Sequence, residues 1–424
     1  MAEERIVVGL DVGTTKVCAL VADVGGAGPI RILGMGIEES RGISRGTVVD
    51  VAQATNVVKA ARRQAERSSG YEIGRAFVSI AGKHIASINS RGVTGLSPSR
   101  GVVGAEDIER ALDSARAVAL PHNREVLHVI PRSFIVDGQE GIRNPLGLHA
   151  YRLEVEAHII TAASSSLRNL EACVREAGME VERFVLNPIA SGEEVLSDAE
   201  RESGVVVVDI GGGTTDIAVF IDNTIWHTAV IEVGGNHITS DIGQVLHLPP
   251  AEAERIKIEH GNSDPDTVSQ DQTITVQTFG EEMPTKILVH DLARIIEARV
   301  DEIFIMVLQE LKRSGYDGLL PAGIVLTGGT ARLTNIRHNA SRVTHLPARV
   351  AAPEHITEKV DRLRDPAFAT SVGLLRFARN VEAATIRAPR PRRTDRRVRG
   401  GDRQPPEVRR MITDFLSRLL PDSE

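Results

Sequence analysis

Two stretches of the chain share one pattern of apolar and polar positions. Residues 205–220 (Val-Val-Val-Val-Asp-Ile-Gly-Gly-Gly-Thr-Thr-Asp-Ile-Ala-Val-Phe) echo residues 7–20, with Asp11, Gly13, Thr14, Thr15 and Lys16 at the equivalent turn. Each reads as a buried strand with an Asp at its end, a Gly/Thr turn and a second apolar strand. Elsewhere helix and strand signals alternate, as in an α/β protein. An amphipathic stretch over 50–67 predicts a helix stopped by Ser68-Ser69-Gly70, followed by a strand over 76–81. Residues 85–160 read as a separate module, with a helix over 105–119 and strands over 126–136 and 152–160. A capped helix is expected over 164–177, and two short helices over 236–247 and 250–260. A small polar excursion covers 261–277. One long helix is predicted over 285–314, because Leu288, Leu292, Ile296, Val300, Ile303, Val307 and Leu311 repeat along one face. A strand over 323–327 runs into Gly328-Gly329, expected to open a helix, and the last apolar helix of the body spans 368–378.

After residue 386 the pattern changes. Pro, Arg and Gly dominate, no apolar periodicity survives, and 386–406 reads as a solvated linker. Then Val408, Met411, Ile412, Phe415, Leu416, Leu419 and Leu420 fall on one narrow stripe of a short helix over 407–422. Such a stripe can dock on the body's own core. The Arg-rich spacer favours a helix lying in a membrane interface instead, where each basic residue near anionic lipid is worth about 1 kcal/mol. One such helix binds weakly; several linked in one assembly would gain roughly 10²–10⁴ through avidity.

Length and charge sharpen this picture. The 424 residues suffice for two or three domains, and the net charge is −7. Residues 387–424 hold eleven arginines against six acids, a balance of +5, which leaves −12 on the body. That balance argues against a general nucleic-acid surface there, and no aromatic residue interleaves the arginines of the linker to stack bases. The charged start predicts no secretory leader, and no apolar run approaches the roughly 20 residues that span a bilayer. Cys18 and Cys173 have no metal-like spacing and read as reduced core thiols.

The paired turns carry the candidate chemistry. Glycine lets backbone N–H groups turn onto an anion, and threonine hydroxyls add donors. One Asp-x-Gly hairpin alone is better read as a plain tight turn. Two, one in each half, suggest two lobes closing on one polyphosphate. Asp11 and Asp209 would reach a phosphate-bound Mg²⁺ through its waters. Lys16 adds a point positive charge; Gly13, Thr14, Thr15, Gly212, Gly213, Thr214 and Thr215 supply donors. Gly328, Gly329 and Thr330, after an apolar strand, would allow flat approach of an adenosine moiety, or form an ordinary βα turn.

This order of motifs resembles the actin, Hsp70 and sugar-kinase superfamily, and more closely the FtsA family of actin-like bacterial cell-division proteins. The resemblance rests on residues 9–16, 187–192 (Asn-Pro-Ile-Ala-Ser-Gly), 207–215, 234–242, 253–257, 322–330 and 371–375, and covers residues 5 to about 380 and the amphipathic C-terminus. It implies an actin-like, ribonuclease H-like two-lobed ATPase fold with an FtsA-type inserted subdomain. The implied division is a first-lobe core (1–84, 161–198 and 365–385), an inserted subdomain (85–160), a second-lobe core (199–235 and 310–364) and its small subdomain (236–309). ATP and Mg²⁺ are the implied cofactors, with Gly235, Asn236, Glu254 and Lys257 on the adenine and ribose side. Implied partners are the tail peptide of FtsZ, other copies of the chain in a filament, anionic lipid, and later division proteins at the inserted subdomain. The site of action would be the cytoplasmic face of the membrane at the division septum. Asp241, Lys286 and Arg299 are the candidates for the FtsZ contact, against the reading of solvated helix charges.

One departure matters. Hsp70-like relatives carry an acid where this chain has Asn187, which cannot serve as a carboxylate base. Glu193 and Glu194 could substitute, but are expected to be solvated on a helix surface. The expectation is therefore ATP binding with at most weak hydrolysis. Alternatives are a small-molecule kinase of the same superfamily, which would need a catalytic Asp outside the hairpins, and a pilus-assembly relative, usually shorter and without a lipid helix. A chaperone is disfavoured, since no substrate domain fits after residue 380.

Overall fold

A computed structural model describes residues 4–26, 28–96, 101–117, 120–280, 283–357 and 360–387, with side chains up to 381. The proposed membrane stripe (Met411, Ile412, Phe415, Leu416, Leu419 and Leu420), with Val408 and most of the linker, lies outside the described residues. The chain forms two compact units, Met1–Ala86 with Ala162–Leu375, and Ser87–Thr161 with the residues from Arg376 on.

The larger unit contains the duplicated pattern twice over, as two five-stranded sheets. In the first, Ile6–Val12 pairs antiparallel with Lys16–Asp23, which pairs antiparallel with Arg31–Glu39. On its other side Ile6–Val12 runs parallel to Arg75–Ile80, and that strand parallel to Glu180–Leu186. In the second sheet, Val205–Ile210 is antiparallel to Thr215–Ile221 and that strand to Thr224–Ile231, while Ile324–Thr327 and Ala348–Val350 extend it in parallel. The topology is the same in both. Strands buried on both faces read as unbroken apolar runs, which is why Val205–Ile210 is four valines, an Asp and an Ile with every residue buried.

Helices cover these sheets. Val51–Ser69 starts at Asp50, whose carboxylate accepts from the Gln53 N–H (3.0 Å), and ends at Gly70 with φ +78°. Around the second sheet, Gly235–Val245, Pro250–His260 and Val289–Ser314 close one core over Val206, Val208, Ile217, Leu292, Ile296, Phe304 and Leu311.

The long helix begins later than its periodicity predicts. Thr285–Leu288 is a strand, paired antiparallel with Thr273–Val276 so that Lys286 faces Thr275. Thr-Lys-Ile-Leu alternates between half-buried and exposed, a two-residue period, and the ladder to the neighbouring strand overrides the helical spacing of Leu288. A second difference lies after Ile324–Thr327, where Gly329–Arg332 forms one turn of 3₁₀ helix rather than a full α-helix.

In the smaller unit a four-stranded sheet runs in the order Ile85–Gly95, Arg152–Ala163, Arg124–Val136, Gln139–Ile142. Its helix, Ala105–Arg116, lies directly on the sheet: a Cβ on Gly92 would fall 2.0 Å from the Ala111 carbonyl oxygen. Leu153, Val155, Ala157, Ile108 and Leu112 form the core between them.

Candidate functional site: a cleft between twin hairpins

The two hairpin turns are built alike. Gly13 N–H donates to Lys16 O (3.0 Å), and Gly211 N–H to Thr214 O (2.9 Å). Asp11 and Asp209 occupy the same place in each, one residue before the strand's last. The tips meet: a Cβ on Gly212 would lie 2.1 Å from Thr15 Oγ1, and one on Gly213 2.7 Å from Thr14 Oγ1. Behind them opens a cleft of about 1190 Å³. It is lined by Asp11, Gly13, Thr14, Thr15, Lys16, Asp209, Gly212, Gly213, Thr214, Gly235, Asn236, Glu254, Lys257, Gly328, Gly329 and Thr330.

Thr215 is the exception among the hairpin donors. It is fully buried, its hydroxyl donates to Val233 O (2.8 Å), and it does not line the cleft. Strand alternation explains this: Thr214 and Asp216 face one way and Thr215 the other.

Several expected ligand groups are also parts of the wall. Gly235 N–H and Asn236 N–H donate to the carbonyls of Gly211 (2.9 Å) and Gly212 (2.8 Å), and Thr330 Oγ1 donates to Gly211 O (3.0 Å). Lys257 donates to Gly235 O (3.1 Å) and Thr239 Oγ1 (2.8 Å) and pairs with Glu254 (2.6 Å). The Lys16 ammonium donates to Ala367 O and sits 4.8 Å from the Phe368 ring centroid, a cation–π contact. Gly328 has φ +87°, and a Cβ there would meet Asp209 Oδ1 at 2.4 Å and Ile210 O at 2.6 Å.

Both carboxylates are buried, Asp11 at 5% and Asp209 at 6% exposure. Burial raises the Asp209 carboxyl above its ordinary range, and the nearby Asp11 charge adds to it against the Thr370 hydroxyl. Asp216, paired across the hairpin with Asp209, is raised well above, by burial first and then by Asp209. Such a site favours a cation. Two carboxylates supply hard oxygen ligands but no protein-only cage, since no cluster of three or more His, Cys, Asp or Glu fit to hold a metal occurs among the described residues. That donor set fits Mg²⁺, which keeps most of its shell as water and phosphate. Asn187 lines the cleft at the start of the helix Asn187–Val195, its buried Oδ1 without a partner.

Glu193 and Glu194 are not solvated. Glu193 is buried and paired with Arg201 (3.3 Å). Glu194 accepts from the backbone N–H of Glu354 (2.9 Å) and His355 (3.0 Å). Neither lines the cleft, so neither replaces the acid that Asn187 lacks. Sequence reasoning gave no role to Ser79, Thr370 and Ser371, whose hydroxyls donate to the two cleft aspartates. Ser371 stood only as the first residue of the 371–375 motif, without a role.

Away from the cleft, Arg299 forms a two-pronged pair with Asp241 (2.6 and 2.9 Å) and also reaches Glu302. Lys286 is exposed on its hairpin strand. The structure thus joins two of the three partner candidates to each other.

Comparison with known proteins agrees with this architecture. The chain matches the family profile described as Cell division protein FtsA over residues 206–373, and that described as SHS2 domain inserted in FTSA over residues 82–161. It is 42% identical to Cell division protein FtsA of Pseudomonas aeruginosa, covering 88% of this chain and 89% of that one. The Escherichia coli K12 counterpart is 38% identical, over 89% and 91%. Among solved structures, a PilM-PilN type IV pilus biogenesis complex superposes with TM-score 0.62 at 14% identity, covering 89% of this chain and 99% of that one. MreB5 of Spiroplasma citri bound to ADP superposes with TM-score 0.55 at 14% identity, over 90% and 98%. These likenesses show the actin-like fold. Identity at this level over nearly the whole of both sequences shows more: the chain belongs to the FtsA family of actin-like cell division proteins.

Proposed function

We propose that this chain binds Mg·ATP between its twin hairpins and acts, as a self-associating filament subunit, to tether FtsZ to the membrane. The observation that carries this is the pair Asp11 and Asp209, buried at equivalent ends of duplicated hairpins and facing one cleft. Asp11 and Asp209 would hold Mg²⁺ through water. Gly13, Thr14, Thr15, Lys16, Gly212, Gly213 and Thr214 would surround the phosphates, and Gly235, Asn236, Glu254, Lys257, Gly328, Gly329 and Thr330 the nucleoside. That MreB5 was solved with ADP supports a nucleotide in a cleft of this fold. An amide at Asn187 favours binding over brisk turnover, so the nucleotide serves chiefly as a clamp.

The small subdomain (236–309) would receive the FtsZ tail. Its Asp241–Arg299 pair would have to open or share its charges with the peptide, beside the exposed Lys286. The inserted subdomain (85–160) would engage later division proteins. Residues 407–422 would lie on anionic lipid at the inner face of the membrane, with Met411, Ile412, Phe415, Leu416, Leu419 and Leu420 buried in it and 386–406 as spacer.

Co-pelleting on anionic vesicles with ATP, with and without an FtsZ tail peptide, tests this. The full chain should pellet and carry the peptide with it. Removal of residues 407–424 should abolish pelleting while ATP binding persists; unchanged pelleting would refute the tether.

A further inference from the structure

Asp11 and Asp209 come from opposite lobes, yet two neighbouring residues hold both. Ser371 Oγ donates to Asp11 Oδ2 (2.7 Å) and Thr370 Oγ1 to Asp209 Oδ2 (2.8 Å). Both begin the final helix, Ala369–Arg387, and both are buried, at 0% and 7% exposure. Ser79 completes the arrangement. It accepts the Val12 N–H (2.9 Å), which leaves its own proton for Asp11 Oδ1 (2.9 Å).

The first turns of that helix have a fixed seat. A Cβ on Gly373 would lie 1.8 Å from Ala190 O, so the helix presses against the connecting helix Asn187–Val195. On the other side a Cβ on Gly9 would lie 3.1 Å from Leu374 Cβ, against the strand that carries Asp11. Consecutive helical residues are separated by a fixed rise of about 1.5 Å, so the hydroxyls at 370 and 371 have a fixed spacing.

We propose that Thr370 and Ser371 are positioning residues for the metal. One step of one helix sets the separation and orientation of two carboxylates that belong to different sheets. Both carboxylates line the cleft, where so held they would meet a hydrated Mg²⁺. Partners behind metal-binding carboxylates act in this way, and their loss typically weakens the metal about 10–100-fold. The inference rests on the Mg·ATP reading of the cleft.

The test uses full-length protein carrying Thr370→Val, which keeps the shape and removes the hydroxyl, or Ser371→Ala. ATP affinity is measured calorimetrically with Mg²⁺ and with EDTA, alongside the melting temperature of the unliganded protein. Each variant should bind Mg·ATP about 10–100-fold more weakly than the parent while metal-free ATP binding is little changed, and Thr370→Ser should restore the parent value. Equal weakening with and without Mg²⁺ would show a merely structural role and overturn the proposal, as would parent-like Mg²⁺ dependence in both variants. Should Thr370→Val fail to fold, Ser371→Ala, which removes a single hydroxyl, decides alone. Failure of the parent to bind Mg·ATP would instead remove the functional reading itself.

Discussion

Gly328 has no room for a side chain. Its φ of +87° is open to glycine, and a Cβ would press on both Asp209 Oδ1 and Ile210 O. A left-handed backbone alone costs a larger residue about 1–3 kcal/mol, before the clash. Gly328→Ala should therefore lower the melting temperature and weaken Mg·ATP binding together; a parent-like variant in both would contradict the geometry. Cys18 makes an opposite kind of prediction. Burial pushes its thiol up to about 12, so a thiol reagent at neutral pH should not label it until the protein unfolds. The aspartates, glycines and threonines of the cleft were legible because their pattern is local and occurs twice. Their hydroxyl partners were not: Asp11 and Ser371 are 360 positions apart, and nothing in either neighbourhood announces the other. Glu193 and Glu194 misled for a similar reason. Charges on an amphipathic helix usually face water, and only the fold brings Arg201 and the His355 loop over them.

Helix and sheet lie in direct backbone contact where Val51–Ser69 packs on Arg31–Glu39. A Cβ on Gly36 would fall 1.9 Å from Ala61 O, and one on Gly34 2.7 Å from Ala65 O. Gly36→Val should unfold or severely destabilise the larger unit, at a cost above the 1–3 kcal/mol typical of an overpacked core, as thermal denaturation will show. A second link ties the short helix Asp198–Ser203 to the strand Ala348–Val350. Arg349 grips Glu200 with two nitrogens (2.6 and 2.8 Å). Burial opposes ionisation of Glu200, but Arg349 and the Ser197 cap outweigh it, bringing its carboxyl from an ordinary 4.5 to about 2. A carboxyl depressed by folding contributes stability above its unfolded value and loses it as pH falls toward the folded one. The parent should thus lose stability between pH 4.5 and 2, and Arg349→Met should flatten that part of the profile. The twin hairpins, the helix capped by Asp50 and the buried four-valine strand were readable from apolar period and end signals, whereas the strands Glu180–Leu186 and Thr224–Ile231 and the helix Ile336–Thr344 were not read. The Thr285–Leu288 strand was not, because four residues fit either period and its partner, Thr273–Val276, decides. The third strand of the first sheet, Arg31–Glu39, went unread as well: its glycines serve the helix above it rather than any strand pattern.

Duplication is the organising fact of the larger unit. Two sheets of one topology end in matching turns, and the pocket follows from their meeting. The inserted unit has its own sheet, helix and core and interrupts the chain between Ala86 and Ala162. Under the proposed tether, coupling between nucleotide and membrane would belong to the assembled state, because a single lipid-binding tail opposed by Asp414, Asp422 and Glu424 would hold lipid weakly. Vesicle binding should accordingly fall more steeply than in proportion when the protein is diluted below its assembly concentration; strictly proportional binding would argue against avidity. All of this depends on the proposed grip of twin aspartates on a magnesium nucleotide. Isothermal calorimetry of the folded full-length chain with Mg·ATP is the direct measurement. The parent should give saturable heat that Asp11→Ala and Asp209→Ala each abolish or weaken at least tenfold, about 1.4 kcal/mol. No heat from the parent, or variants indistinguishable from it, would contradict the account.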